Sequence, residues 1–263
     1  MKKIIAVCAA LVLALSMCLA VSAEAADGVT VYVTIADGTG AVVMAHEAVA
    51  VTDVDGDGAV TINDALTCAH DAKYEGGAAA GYGSAETEYG LSMTKLWGVE
   101  NGGSYGYYVN NMSAMSLQDP VADGDTVVAF AYSDLTAWSD MYCWFEPAAV
   151  ELKQGESVEL TLNGAGFDAD WNPVTTPVAG AELTVDGAKT GLTTDADGKV
   201  VYTADKSGTL TISAVSGTQV LVPPVCIAEV ASAGLSPVWY VVIGVAAVAV
   251  IAVVVVLVMK KKK

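Results

Sequence analysis

The stretch Asp53–Asp64, DVDGDGAVTIND, separates two segments that differ in hydrophobic periodicity. Before it, Gly28–Ile35 and Ala41–Val51 alternate apolar and polar residues on either side of a glycine-containing turn, a pattern that predicts a β-hairpin. After it, apolar residues recur at helical spacing, which predicts an amphipathic helix over Ile62–Tyr74. The acidic stretch therefore joins a strand to a helix.

Acidic side chains stand at alternate positions of this stretch, followed by a glycine. An EF-hand calcium loop supplies oxygens from positions 1, 3, 5, 7, 9 and 12, with glycine at position 6 for the sharp turn. The predicted calcium ligands are Asp53, Asp55, Asp57, the backbone carbonyl of Ala59, Thr61 and Asp64. The loop has no Cys or His, which zinc would prefer. The alternative is that the carboxylates only stabilise a turn and cap the helix.

The run GDGAVTINDAL, with Asp rather than Glu at position 12, resembles the calcium loop of dockerins. Dockerins carry two such loops and pair with cohesins on scaffold proteins, whereas this chain has one copy. The resemblance implies, as an alternative function, a dockerin-like module that recruits a cohesin-bearing partner. Against it, we expect the helix to bury Leu66 and Ala69 on its own sheet.

Further strands are predicted in GLSMTKLWG, SYGYYVNN and DTVVAFAYSD, which gives residues 27–135 an α+β pattern with one helix after the hairpin. Residues 28–134 resemble a bacterial domain of unknown function related to the cobalamin-binding C-terminal domain of transcobalamin and intrinsic factor. The marks of this resemblance are Tyr107-Tyr108-Val109-Asn110-Asn111 and Asp123-Gly124-Asp125. It implies a β-grasp-like fold, with the calcium loop in place of a short turn and the metal mainly architectural.

Residues 141–230 contain short strands separated by turns, without helical periodicity. The segments are AVELKQ, SVELTL, AELTVDG, KVVYTA, GTLTISAV and LVPPVCIAEV. Such spacing predicts an all-β immunoglobulin-like sandwich whose inner faces bury alternate residues.

Both ends of the chain carry targeting signals. Residues 1–26 have two lysines, an apolar run and small residues at the end, which predicts a cleaved secretory signal peptide. Residues 238–259 are uncharged and about the ~20 residues long that a transmembrane helix requires. The lysine tail 260–263 follows and predicts a cytoplasmic C-terminus. We expect a single-pass protein of the cell membrane with its N-terminal ectodomain outside, as on a bacterial cell surface.

Charge excludes one class of partner. Six of the 12 basic residues lie in the signal peptide or the lysine tail, whereas Glu24 alone of the 30 acidic residues does, so the ectodomain carries a net charge of −23. That field repels phosphate backbones, and we expect no binding to nucleic acid. It attracts divalent cations.

Three cysteines remain after removal of the signal peptide. Cys143 and Cys226 flank the predicted sandwich and form a candidate disulfide between its first and last strands, which would leave Cys68 as a buried thiol. The alternative is that none is oxidised. We interpret His46 and His70 as ordinary surface or half-buried residues, since a zinc site needs at least three ligands.

The function predicted from these patterns is recognition rather than catalysis. The chain has no Gly-x-Ser-x-Gly elbow and no nucleophile at motif spacing from either histidine. Aromatic residues and an asparagine cluster on two neighbouring strands and a turn, where they could stack on a glycan or a corrin-like ring. These candidate ligand-binding residues are Trp97, Tyr105, Tyr107, Tyr108 and Asn110. Core and sheet packing is the alternative role. The leading hypothesis is a calcium-stabilised binding or adhesion ectodomain with an extracellular ligand or protein partner.

Overall fold

The computed structural model describes residues 28–170 and 172–233, which are mostly β-sheet with few helices. The chain divides between Leu135 and Thr136 into two compact units. Within the described ranges, every helix is too short or too polar to cross a membrane. The predicted signal peptide 1–26, the span 238–259 and the tail 260–263 lie outside those ranges.

The first unit is built on a mixed sheet. Its strands are β1 (Val29–Ala36), β2 (Val42–Val51), β3 (Gly83–Thr87), β4 (Gly90–Lys95), β5 (Tyr105–Val109), β6 (Met112–Ser113) and β7 (Thr126–Ala131). The main sheet has the order β2-β1-β7-β5-β6, in which β1 is antiparallel to β2 and parallel to β7. Strands β3 and β4 form a separate hairpin. The β1–β2 hairpin lies where the alternating sequence predicted it.

Two helices follow the acidic loop. Helix α1 (Ile62–Lys73) lies where the periodicity predicted a helix. The prediction of a single helix is wrong, because α2 (Gly77–Gly81) forms in the alanine-rich GAAAG segment, which carries no amphipathic signal. Gly76, at a φ of 88°, supplies the left-handed turn between the helices. Tyr82 N–H donates to the Ala78 carbonyl and closes α2.

Helix α1 packs one face against the sheet. Ile62, Ala65, Leu66 and Ala69 are fully buried and share a core with β1, β2 and β7. Burying a side chain such as Leu contributes about 1.5–3 kcal/mol. The expectation that α1 buries Leu66 and Ala69 in the core of its own unit is confirmed.

The second unit consists of two sheets around one core. Its strands are β8 (Cys143–Glu146), β9 (Ala149–Lys153), β10 (Ser157–Phe167), β11 (Pro173–Pro177), β12 (Glu182–Val185), β13 (Ala188–Thr193), β14 (Lys199–Thr203), β15 (Gly208–Val215) and β16 (Cys226–Ala231). One sheet joins β11, β10 and β14, with β8 also on β10; the other has the order β13-β12-β15-β16-β9. Alternate residues of β10, β14 and β15 are buried, as a two-sheet sandwich requires.

The predicted disulfide between Cys143 and Cys226 is absent, and both residues are free thiols. They are buried in the core of the second unit, where Cys143 Sγ donates to the Val222 carbonyl at 3.2 Å. Burial raises the pKa of both thiols, that of Cys226 to about 12, so they remain protonated and unreactive. Cys68 is a half-buried free thiol.

Candidate metal centre and its surroundings

The acidic loop is organised around the first of its carboxylates. Asp53 Oδ1 accepts the N–H groups of Gly56 and Asp57 at 2.7 and 3.2 Å, and Oδ2 accepts that of Gly58 at 2.9 Å. The bond from Gly58 is the main cause that lowers the pKa of Asp53. Gly56 and Gly58 have φ values of 76° and 92°, which other residues rarely adopt. The glycines thus let the chain wind around Asp53.

Three carboxylates meet at this loop. Asp53, Asp55 and Asp57 are exposed, and one oxygen of each lies within 4.8 Å of the others. Asp55 Oδ1 accepts the Asp57 N–H at 3.2 Å, and Asp57 Oδ1 accepts the Ala59 N–H at 2.8 Å. A carboxylate oxygen has two acceptor positions, so these bonds leave oxygens for a cation. We call these three residues the Asp triad.

The last two predicted side-chain ligands are engaged in other hydrogen bonds. Thr61 and Asp64 are 2% and 0% exposed, and together they form a capping box at the start of α1. Asp64 Oδ2 accepts the Thr61 N–H at 2.8 Å and its hydroxyl at 2.7 Å, while Oδ1 accepts the Val54 N–H at 3.0 Å. Asp64 therefore joins the start of the loop to the start of the helix, and it is not part of the Asp triad.

The donor set of the Asp triad is compatible with a hard cation. It consists only of carboxylate oxygens, and Ala59 follows at the position whose backbone carbonyl would add another. Three negative charges this close repel one another unless a cation screens them. With Asp64 engaged in the capping box, the Asp triad and the Ala59 carbonyl are the predicted oxygens that remain for a cation.

A chain of hydrogen bonds leads from the Asp triad into the unit. Asn63 Nδ2 donates to Asp55 Oδ2 at 3.4 Å, and its Oδ1 accepts the Tyr82 hydroxyl at 3.0 Å. Burial raises the pKa of Tyr82, so its hydroxyl stays a donor. The sequence analysis missed Asn63 and Tyr82, because residues 19 apart give no periodic signal.

Behind Tyr82 lies an aromatic cluster centred on His70. Its ring centroid is 5.2 Å from that of Tyr82, 5.1 Å from Trp97 and 6.1 Å from Tyr74. The backbone N–H of Trp97 donates to Nε2 at 3.1 Å, so Nδ1 carries the proton that reaches the Leu66 carbonyl at 2.7 Å. His70 is completely buried, contrary to the surface or half-buried position expected. Its burial lowers its pKa.

The candidate ligand-binding residues do not form one surface. Trp97, Tyr105 and Tyr107 pack against the core of the first unit. Tyr108 points to the other face of the sheet, where its ring lies 6.2 Å from that of Phe130. The Tyr105 hydroxyl donates toward the carbonyls of Val99 and Thr94 at 2.7 and 3.0 Å and accepts the Asn101 N–H at 3.1 Å.

Asn110 has a structural role in the turn that follows β5. It lies in the turn between β5 and β6 with a φ of 50°, and its side chain donates to Asp125 Oδ1 at 2.7 Å and accepts the Thr126 N–H at 2.9 Å. Asp123 in turn accepts the Thr30 N–H at 2.8 Å. The asparagine and the two aspartates that mark the transcobalamin-like resemblance therefore tie β5, β7 and β1 together at one end of the sheet.

Comparison with known proteins does not assign the chain to a family. No family model matches the chain, and no curated protein matches it. Among solved structures, it is similar to the N-terminal four Ig domains of Dscam1 isoform 4.44, at a TM-score of 0.23 and 12% identity over 41% of this chain and 23% of that one. Isoform 7.44 gives a TM-score of 0.23 and 11% identity over 80% of this chain and 45% of that one. The chain thus spans less than half the length of either.

Proposed function

We propose that this protein is a membrane-anchored extracellular binding protein whose first domain is stabilised by calcium. The observation that carries the proposal is the approach of Asp53, Asp55 and Asp57 to within 4.8 Å, in a loop that follows the EF-hand ligand order. Bound calcium would relieve the repulsion among these carboxylates and so favour the folded loop. The membrane anchor rests on the sequence of residues 238–263.

The finer fold assignments belong to the same proposal. A β-grasp-like first domain is supported by the parallel pairing of β1 with β7 and by the helix between β2 and the later strands. An immunoglobulin-like second domain is supported by two sheets that share one core. Both are modules that present loops or sheet edges to a ligand.

For the ligand, we propose an extracellular glycan, corrinoid or protein partner. The docking alternative, a dockerin-like module for a cohesin, has less support, because Leu66 and Ala69 are buried and leave α1 no apolar face for a partner. A panel of glycans, cobalamin and a cohesin, assayed with the full chain in calcium and in chelator, separates these partners. Catalysis is not part of the proposal.

Calcium stabilisation is tested by thermal unfolding of the full chain. Millimolar calcium should raise the melting temperature. A ligand at about 100 times its Kd stabilises the folded state by about 2.7 kcal/mol, and with a Kd near about 10⁻⁴ M millimolar calcium would supply a measurable part of that free energy. Asp53→Ala with Asp57→Ala should abolish the rise. The control pair, Asp195→Ala with Asp197→Ala, removes two turn aspartates of the second unit and should keep it. Equal melting in calcium and in chelator would contradict the proposal.

A further inference from the structure

Strand β2 leaves one edge of the main sheet of the first unit open. It is the last strand of that sheet and, in the described part of the chain, no strand pairs with its outer side. Its 10 residues make it long for an edge strand, and it contains neither proline nor lysine. Glu47 is its one acidic residue and forms an ion pair with Lys73 of α1. This edge is therefore long, mostly apolar and locally neutral.

The backbone groups of Ala48 and Ala50 point away from the sheet. Thr30 and Tyr32 bond toward β7, since the Tyr32 N–H donates to the Asp125 carbonyl at 2.8 Å. Their register partners on β2 are Ala50 and Ala48. Because alternate residues of a strand bond to one neighbour, the N–H and C=O groups of these two alanines turn outward. Both are exposed, and among the described residues no hydrogen bond outside the β1–β2 pairing uses their backbone groups.

Strand β11, an edge of the second unit, carries a protection that β2 lacks. It begins with Pro173 and ends with Pro177. The Ala165 N–H of β10 donates to the Tyr142 carbonyl, so Thr175, its register partner on β11, turns its own N–H outward. Both prolines alternate with Thr175 and share this outward position, where a missing N–H hinders pairing with another strand. The outward positions of β2 are alanines that keep their N–H groups.

We propose that a second copy of this chain pairs with β2, so that the two strands run antiparallel about a two-fold axis at Val49. The register with β1 is irregular before Glu47 and continuous from Glu47 to Val51, which leaves this half of β2 regular. With the axis at Val49, Ala48 of each copy lies opposite Ala50 of the other, and each pair exchanges both of its N–H···O bonds. The two five-stranded sheets then form one continuous sheet.

The charges near the axis permit this pairing although the chain is acidic. Its net charge of −18 opposes association over long distances. At about 3.3 Å per residue, the two Glu47 residues would lie roughly 13 Å apart along the strands, beyond the Debye length of about 8 Å at physiological salt. Each is also neutralised by Lys73 of its own copy. Because an antiparallel edge is complementary to itself, the same edge of a second copy supplies every donor and acceptor that the pairing requires.

Hydrogen exchange of the full chain in detergent micelles, at physiological salt and in chelator, tests the contact residue by residue. The amides of Ala48 and Ala50 should be protected at high protein concentration and should lose this protection on dilution. The amides of Val49 and Val51, which bond to β1 within each copy, should keep theirs. Rapid exchange of Ala48 and Ala50 at every concentration would overturn the proposal. So would protection that is independent of concentration, because another segment of chain would then cover the edge.

Proline substitution tests the same contact through the molecular mass, measured by light scattering. Ala50→Pro removes an outward N–H that a single copy does not use, so it should convert the dimer to a monomer and leave the melting temperature unchanged. The matched control is Thr175→Pro, which removes an outward N–H of β11 and should leave the dimer intact. Loss of the dimer in both variants, or in neither, would contradict pairing through β2.

A charge variant covers the case in which proline disturbs the strand itself. Ala48→Glu adds one carboxylate per copy, and the two would lie roughly 7 Å apart along the strands, within the Debye length of about 8 Å. The dimer fraction should fall and should recover in part at high salt. A dimer fraction equal to that of the unchanged chain at low salt would count against the proposed axis. Because these measurements are made in chelator, their outcome is independent of the calcium proposal.

Discussion

Asp64 joins the acidic loop to helix α1 through three hydrogen bonds while remaining completely buried. Replacing it by Ala leaves the N–H groups of Val54 and Thr61 without their acceptor. A buried donor left unsatisfied costs about 1–3 kcal/mol, so we expect Asp64→Ala to lower the free energy of unfolding by about 2–4 kcal/mol in urea titrations. Asp64→Asn should lose nearly as much, because its NH₂ group cannot accept from Thr61.

The control for this prediction is Asp55→Ala, measured in chelator. Asp55 is exposed, and its carboxylate accepts only the long bonds from the Asp57 N–H at 3.2 Å and from Asn63 Nδ2 at 3.4 Å, so its loss should cost less than about 1 kcal/mol. Equal losses in the Asp64 and Asp55 variants would contradict the structural role of Asp64.

His70 makes the stability of the protein depend on pH. Burial lowers its pKa below the unfolded value of 6.5, and the folded state holds the neutral ring through the Trp97 N–H and the Leu66 carbonyl. Below about pH 6.5 the unfolded chain binds a proton that the folded chain does not, so stability falls as the pH decreases toward the lowered folded pKa. His70→Gln should reduce the difference in unfolding free energy between pH 8 and pH 5. His46 is a second histidine with a lowered pKa and could cause a pH dependence of the same sign. An unchanged difference in the His70→Gln variant would therefore contradict the role of His70.

At the residue scale, the sequence predicted that Asp53, Asp55 and Asp57 would meet, because their spacing alone fixes a tight loop. Capping of the helix was the alternative interpretation of the carboxylates, and the spacing of Thr61 and Asp64 is that of a capping box. The burial of His70 was not predicted, because it depends on partners such as Trp97, 27 residues away in the chain, which no local pattern identifies.

At the scale of elements, the β1–β2 hairpin and α1 were predictable, since each has a regular hydrophobic period. Helix α2 and strand β3 were not predictable, because the segment from Gly76 to Ala85 consists mostly of glycine and alanine and has no hydrophobic period. The five aromatic and polar ligand candidates were grouped by proximity in sequence, and strand alternation placed Tyr107 and Tyr108 on opposite faces.

Tyr74 occupies space that a glycine leaves open at the end of α2. A Cβ on Gly81 would lie 2.5 Å from Tyr74 Cδ1, closer than real contacts allow. Because the aromatic cluster holds this ring, we expect Gly81→Ala to destabilise the protein by about 1–3 kcal/mol, the usual cost of overpacking. Gly38→Ala, whose Cβ would meet ordinary contacts of 3.7 and 3.8 Å, is the control. If Gly81→Ala lowers the free energy of unfolding in urea titrations no more than Gly38→Ala does, the Tyr74 ring can move aside and the prediction is wrong.

For the whole molecule, composition predicted an acidic chain and the alternating segments predicted many strands, and the described residues form two compact units. The order of strands was not predictable, because parallel pairs such as β1 with β7 and β9 with β16 join segments far apart in sequence. The prediction of a disulfide was wrong for a related reason. Positions that flank a sandwich in sequence place both cysteines in its core, but sequence spacing does not fix the geometry that a bond requires.

Membrane anchoring belongs to the same scale. Deleting residues 238–263 should release the protein from cells into the medium, because it removes the uncharged stretch and the lysine tail. Cell fractionation checks this, with deletion of the tail 260–263 alone as the control, which should leave the protein in the membrane fraction. A truncated protein still held in that fraction would contradict the anchor.

The winding of the acidic loop around Asp53 has a consequence for exchange with deuterated solvent. The amides of Gly56, Asp57, Gly58 and Ala59 already donate to carboxylates, although the loop is exposed. These amides should exchange more slowly than those of an ordinary surface loop, even before any cation arrives. A cation would then meet a backbone that is already ordered, and because it favours the folded loop it should slow the exchange of these amides further.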